Sequence, residues 1–345
     1  MTIKQVKDYL KRYQKHVKVM EICGTHTSSI LKSGIRDLLS ENIRLVSGPG
    51  CPVCVTPGFY IDALAEMSLS PSSCVLSFGD LFKVTGNKMS FAKAKASGGA
   101  FHIMYSPLEA LTLAKVNPDT EFIVAAVGFE TTAPVYAVLL EHLAAENIAN
   151  VKLAVAVKTM PEAISYICES ESVDGFLCPG HVSSIIGKQA YEPLCEKYKK
   201  PFVIAGFNSE QILLALFRIL RQLDDNMPRV ENLYASAVTY NGNEIAQELL
   251  ARYFEPADGL WRGIGMIGGS ALRLRKAYMR FDTQTYEGVN PEDDLACKCG
   301  DVMLGRIYPD ECGLFGTLCI PENPVGACMV SGEGACGIWY AGGKK

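Results

Sequence analysis

The chain has 345 residues, 48% of them hydrophobic, which is ample for two or three sizeable cores. A formal charge of −4, with no long run of lysine or arginine, argues against nucleic acid as a partner. No stretch approaches the roughly 18 uninterrupted apolar residues of a membrane span and no export signal is evident, so the thirteen cysteines are expected in a reducing cytoplasm, where metal or redox chemistry explains them better than a disulfide scaffold.

Residues 1–18 place Val6, Leu10, Tyr13 and Val17 on one face among lysines, which predicts an amphipathic N-terminal helix, here expected to pack on the C-terminal domain. From residue 18 short apolar runs alternate with helical patterns: VKVMEI, SSILKSGIRDLL, IRLVS, FYIDALAEM and CVLSF. A second such series starts near residue 121 with EFIVAAVGF and APVYAVLLEHLAAE, and runs through KLAVAV, VDGFLC, PFVIAG and EQILLALFRILRQL. This alternation is the signature of βα units and parallel sheets. The expected fold is therefore α/β: two parallel-sheet lobes, over 19–120 and 121–286, and a small loop-rich iron-sulfur domain over 287–345. Each series has a strand running into a Cys-Pro motif, GPGCP in the first and LCPGH in the second, a faint hint of duplication.

Six cysteines fall in the last fifty residues: Cys297, Cys299, Cys312, Cys319, Cys328 and Cys336, among glycines and prolines and without a histidine. Thiolates select soft metals, and a 4Fe-4S cluster takes four of them. Cys297, Cys312, Cys319 and Cys336 are separated by fourteen, six and sixteen residues, whereas structural zinc more often uses tight C-x2-4-C knuckles. Spacing favours an iron-sulfur cluster and leaves zinc or scattered structural thiols as alternatives.

Two further cysteine motifs follow predicted strands. Cys23 opens Cys-Gly-Thr-His, ending at His26, and Cys51 and Cys54 lie in GPGCPVC. Carboxyl ends of parallel strands are where open α/β sheets bind ligands, so neighbouring strands would bring three thiols into one crevice. A C-x-x-C at a helix start has a lowered thiol pKa and can cycle between dithiol and disulfide or bind a soft metal. His26 can serve as acid, base or ligand, or simply cap a helix; His181, in CPGHVSS, carries the same ambiguity and reads as structural. Cys74, Cys168 and Cys195 read as packing residues. Gly263, Gly265 and Gly268 spell G-x-G-x-x-G but follow no clear strand, so a nucleotide site is not expected. Asp293 and Asp294 read as part of a solvated linker.

These motifs together resemble one family. CGTH at 23–26, GPGCPVC at 48–54, GFETTAP at 128–134, CPGHVS at 178–183, and CKCGD through DECGLFG, PENPVGACMVS and EGAC are similar to the HypD family of NiFe-hydrogenase maturation proteins, in family order and over nearly the whole chain. The resemblance implies two α/β domains and a third holding a 4Fe-4S cluster. It implies a scaffold, with the small chaperone HypC, for an iron carrying two cyanides and one carbon monoxide. Cyanide would come from HypE as a thiocyanate, and the finished unit would pass to the hydrogenase large-subunit precursor. By the same resemblance Cys23 would be the principal ligand of the transient mononuclear iron. Cys51 and Cys54 would be a redox pair beside it that can also touch the iron, and His26 a proton-handling group. The cluster would be held by Cys297, Cys312, Cys319 and Cys336, with Cys299 and Cys328 as a nearby thiol pair. Such a protein is a redox-active assembly scaffold rather than a conventional turnover enzyme. Two other classes share some of these residues: a cluster-dependent protein disulfide reductase, which would not need Cys23, and a zinc-stabilised adaptor without redox chemistry.

Overall fold

The computed structural model describes residues 2–284 and 297–343; Asp293, Asp294 and the expected start of the third domain at 287 lie outside them. The apolar runs form strands β1 (Val17–Glu21), β2 (Ile43–Ser47), β3 (Ser73–Ser77), β4 (Phe101–Ile103), β5 (Glu121–Gly128), β6 (Val151–Val157), β7 (Gly175–Pro179), β8 (Phe202–Ala205) and β9 (Val230–Asn232). Most of β5, β6, β7 and β8 is buried at every position, as strands are when helices cover both faces of a parallel sheet. The α/β expectation holds.

The strands assort into two parallel sheets, in the orders β2-β1-β7-β8-β9 and β4-β3-β5-β6. The sheets do not follow the expected division at residue 120. The chain lays down β1 and β2, leaves to build the whole of the second sheet, and returns with β7 to pair against β1. Apolar strands of one length and composition are interchangeable as a pattern; main-chain register and the helices available to cover each face choose their neighbours. The two Cys-Pro motifs are thus not equivalent points of a duplicated lobe. They end β2 and β7, which flank β1 in a single sheet.

An antiparallel ribbon, β10 (Phe254–Trp261) and β11 (Gly265–Leu274), joins the end of β6 through a bridge at Lys158–Ala271, and Asp282, beyond the ribbon, bridges Leu153. Gly263 and Gly265, with φ of 72° and 113°, make its turn, and Gly268 lies within β11, so this glycine motif is a hairpin.

The N-terminal helix Ile3–Lys11 carries a capping box between Thr2 and Gln5. It does not pack on the C-terminal cysteine region. Val6 and Leu10 share a core with Ile212, Leu216 and Leu220 of helix Ser209–Asp224, and Tyr9, Tyr13 and Lys15 converge on Asp224. Asp224 at that helix end supplies the polar anchor that only the fold brings near.

The cysteine-rich segment from 297 consists of turns and short helices laid against β1 and β2. Gly305, with φ of 65°, has no side chain and so fits over Val46 and Met20. Arg36 stacks over Trp339 at 4.6 Å and Tyr308 at 5.1 Å, and Arg44 covers Tyr308 at 4.9 Å. One apolar core runs through both sheets and this segment. Among the described residues no helix is long and apolar enough to cross a membrane. Trp339→Ala removes the buried stack with Tyr308 and half of the Arg36 seat, and is expected to cost about 3–5 kcal/mol in urea unfolding of the full chain.

Candidate metallocentre site

In the first sheet the chain steps from β1 to β2 on one side and later builds β7, β8 and β9 on the other. The order therefore reverses beside β1, the position where open α/β sheets form a ligand crevice. Cys23 is two residues beyond β1 and precedes helix Gly24–Lys32, in extended backbone with φ of −163°. Its N–H donates to Glu21 Oε2 at 3.2 Å, and Thr27 Oγ1 donates to Glu21 Oε1 at 2.5 Å. Glu21 is 1% exposed; burial pushes its carboxyl up to about 7, against the hydrogen bonds from Thr27 and Cys23 and the charge of Arg36. Burial likewise pushes the Cys23 thiol up to about 11, partly offset by the N–H groups of His26 and Thr25. An unliganded Cys23 therefore keeps its proton at neutral pH, and a soft metal would displace it.

GPGCPVC lies against this thiol. Gly48 N–H donates to Glu21 O at 2.7 Å, and a Cβ on Gly50 would stand 2.6 Å from Cys23 N, so only glycine lets the loop approach. Cys51 and Cys54 form a disulfide with Cα atoms 5.3 Å apart. The pair is not at a helix start as expected. It occupies turns, and the next helix, Gly58–Ser68, begins four residues beyond Cys54, because Pro57 sets that helix's first residue. Loop packing onto β1, rather than a helix dipole, governs these sulfurs.

His26 is fully buried. Its Nε2 lies 3.0 Å from Gly206 O and so carries the ring proton, which leaves Nδ1 as a lone pair with no partner among the described residues. Burial lowers the imidazole to about 4, so it is neutral at neutral pH. Phe207 separates His26 from the exposed His181, at ring distances of 4.9 and 4.3 Å. Cys178, at the end of β7, is wholly buried, as is Cys195, while Cys74 and Cys168 are half-buried.

Two buried carboxyls escaped the sequence reading. Glu21 looked like the last residue of a strand, and Glu130, in GFETT at the end of β5, like a motif residue without a role. Glu130 Oε1 accepts from Met160 N at 2.7 Å, while Oε2 is buried without a partner; desolvation pushes the group up to about 7, with Glu162 adding to it. A lone acidic residue directly after an apolar strand was the available signal in both cases.

The four expected cluster ligands come together. Cys297, Cys312, Cys319 and Cys336 line one cavity with Cys299, against apolar walls that include Leu314 and Phe315. Cys297 and Cys299 sulfurs are 3.0 Å apart, and the neighbouring Cys299 and Cys336 thiols, together with burial, push the Cys328 thiol well up. The N–H groups of Gly326 and Val325 face the Cys319 sulfur. A Cβ on Gly326 would stand 2.3 Å from Cys297 Sγ and 2.4 Å from Cys299 Sγ, so glycine gives the sulfurs their room. Among the described residues no three His, Cys, Asp or Glu groups are spaced to hold a single ion. An all-thiol donor set with apolar walls and main-chain N–H groups toward sulfur fits a 4Fe-4S cluster, whose ligands attach to separate irons and stand apart. The cavity adjoins the dithiol: Cys54 Sγ is 3.8 Å from Ala327 O, next to Cys328.

The family model for HypD, described as "Hydrogenase formation hypA family", matches residues 1–343. The chain belongs to the HypD family. It is 40% identical over 344 residues to hydrogenase maturation factor HypD of Azotobacter vinelandii, covering 96% of this chain and 91% of that one. HypD of Rhizobium leguminosarum bv. viciae is 41% identical over 338 residues, covering 94% and 88%. A putative hydrogenase expression/formation protein of Methanocaldococcus jannaschii is 39% identical over 328 residues, covering 94% and 91%.

Two outcomes follow from this geometry. Gly50→Ala in this HypD member must push the GPGCPVC loop off Cys23, and is expected to lower stability by about 1–3 kcal/mol in denaturant unfolding and to speed alkylation of Cys23. The raised Glu130 carboxyl makes the unfolded chain lose its proton first, so this group's contribution to stability falls as pH rises from about 4.5 to about 7. Glu130→Gln keeps the acceptor for Met160 N–H, and its stability relative to the native chain should increase steadily across that window; a pH-independent difference in urea midpoints would contradict the assignment.

Proposed function

We propose that this hydrogenase maturation factor is the scaffold on which the iron unit with two cyanides and one carbon monoxide is assembled, working with a HypC-type chaperone. On this reading cyanide arrives from a HypE-type donor, and the product passes to the hydrogenase large-subunit precursor through the chaperone. The observation that carries it is one alignment. Cys23 is held on β1 with the Cys51–Cys54 pair packed on its main chain, and that pair touches the peptide that leads into the cysteine cavity.

The iron is the cargo, and Cys23 is its thiolate ligand. The proton that leaves Cys23 on metal binding has a buried acceptor close by in Glu21, which already accepts from the Cys23 N–H. The low-dielectric pocket keeps water from competing for the metal. Releasing cyanide from a thiocyanate takes two electrons. The Cys51–Cys54 dithiol can provide them: it becomes a disulfide, the S–CN bond of the donor breaks, and its two protons go to the donor thiol and to cyanide. The disulfide is thus the spent form. When bound by Cys297, Cys312, Cys319 and Cys336, a 4Fe-4S cluster supplies single electrons beside the pair. Cys299 lines that cavity and Cys328 follows Ala327, whose O is 3.8 Å from Cys54 Sγ; on this reading the two thiols pass reducing equivalents on.

A cluster-dependent disulfide reductase is the second reading, supported by the same contact of Cys54 with Ala327. Anaerobic protein should contain about four irons and four sulfides per chain and lose them in Cys312→Ala. The complex with the chaperone should show infrared bands of iron-bound cyanide that vanish in Cys23→Ser. Bands that persist in Cys23→Ser would sink the scaffold assignment, and rapid reduction of an unrelated protein disulfide without such bands would favour the reductase.

A further inference from the structure

The turn of the β10–β11 ribbon reaches the cysteine centre from the side of the second sheet. Trp261, fully buried, holds its base: the indole N–H donates to Ser270 Oγ at 2.7 Å, and the ring stacks on Phe129 at 6.0 Å. Arg262 follows, and its main-chain N–H donates at 2.9 Å to Val55 O, one residue past Cys54. On the other side Gly263 lies against Gly300, one residue past Cys299, so closely that a Cβ on Gly300 would collide with the Gly263 carbonyl. The turn is thus wedged between the dithiol loop and the first stretch of the cavity segment.

This wedge carries a cation. Arg262 is half-buried, and its guanidinium is seated on a neutral acceptor, with Nη1 donating to Thr85 O at 3.0 Å. Cys299 and burial hold the Cys297 thiol well up, and the Arg262 charge acts the other way, favouring the thiolate. Lys298, which lines the cavity, is paired with Asp301 at 3.5 Å, so its field at the sulfurs is largely offset. A carbonyl seat leaves the charge of Arg262 in full.

We propose that Arg262 sets the reduction potential of the cluster held by the cavity, raising it so that the cluster is easier to reduce; this rests on the 4Fe-4S reading of the cavity. A 4Fe-4S core on four thiolates is an anion. Taking up one electron from a low-potential one-electron donor adds one unit of negative charge, with no bond made or broken. A fixed positive charge beside a ligand sulfur therefore stabilises the reduced form more than the oxidised one, and partial burial keeps that field from the full screening of water. Through its main chain the same residue is tied to the loop of the Cys51–Cys54 pair, so charge, cavity and dithiol loop keep a fixed spacing.

The test uses the full chain, purified anaerobically as the native protein and as Arg262→Gln, Arg262→Met and Arg262→Lys. The main-chain bond to Val55 O survives all three. Iron and acid-labile sulfide are counted first, and midpoints are then read from a reductive titration followed by electron paramagnetic resonance of the reduced cluster. At equal iron content the Gln and Met variants are expected to titrate at a lower potential than the native chain, and the Lys variant near the native midpoint. An unmoved midpoint in both uncharged variants would overturn the proposal. So would a fall in the Lys variant as large as in the Gln variant, since the shape of arginine rather than its charge would then be at work. If the uncharged variants cannot keep their irons, retention in the Lys variant supports the charge, and loss in all three overturns it. A native chain without iron or sulfide removes the cluster reading and this inference with it, whereas a loaded native chain with variants of unchanged midpoint removes this inference alone.

Discussion

The parallel pairing of β1 with β2 on one side and β7 on the other is the constraint on which the cysteine centre depends. It brings three loops that are distant in sequence to one sheet end, and buries the carboxyl of Glu21 among them. A buried carboxyl must be satisfied by hydrogen bonds, and Glu21 finds them in the Thr27 hydroxyl and the N–H of Cys23. Those bonds tie the end of β1, the following helix and Cys23 into one unit. Moving either partner leaves a buried carboxyl without its hydrogen bonds in an apolar interior.

Close packing of backbone on backbone does the rest. Gly50 on Cys23, Gly24 on Glu333, and Gly326 on the Cys297 and Cys299 sulfurs are contacts that any Cβ would break. They dock the dithiol loop and the cysteine-rich segment onto the strand ends with almost no intervening side chain. This explains how the Cys51–Cys54 pair and an all-thiol cavity come within one peptide of each other. The aromatic seat of Arg36 holds the far side of the same segment.

Neutrality runs through the pocket. Burial raises Cys23 and lowers His26, so at neutral pH the thiol keeps its proton and the imidazole is uncharged, while Glu21 is pushed up to about 7. A soft cation entering such a pocket meets no strong competing ion pair and finds a proton acceptor for the thiol it binds.

The sequence by itself determined the fold class and where the thiol motifs fall along it. Thiol motifs after apolar runs, the wide spacing of Cys297, Cys312, Cys319 and Cys336, and the alternating pattern of strands and helices marked the α/β class, the strand-end position of Cys23 and Cys51, and the cavity quartet. These are local properties, set by residue type and spacing. Only the tertiary structure decided which strands are neighbours, because apolar parallel strands look alike until register and covering helices select their partners. It therefore decided that β7 belongs beside β1, that the N-terminal helix packs on Asp224, that Cys51 and Cys54 lie in turns, and that Glu21 and Glu130 are buried. Burial is a property of the assembled fold, and so are the perturbed acids and the lone pair of His26 that follow from it.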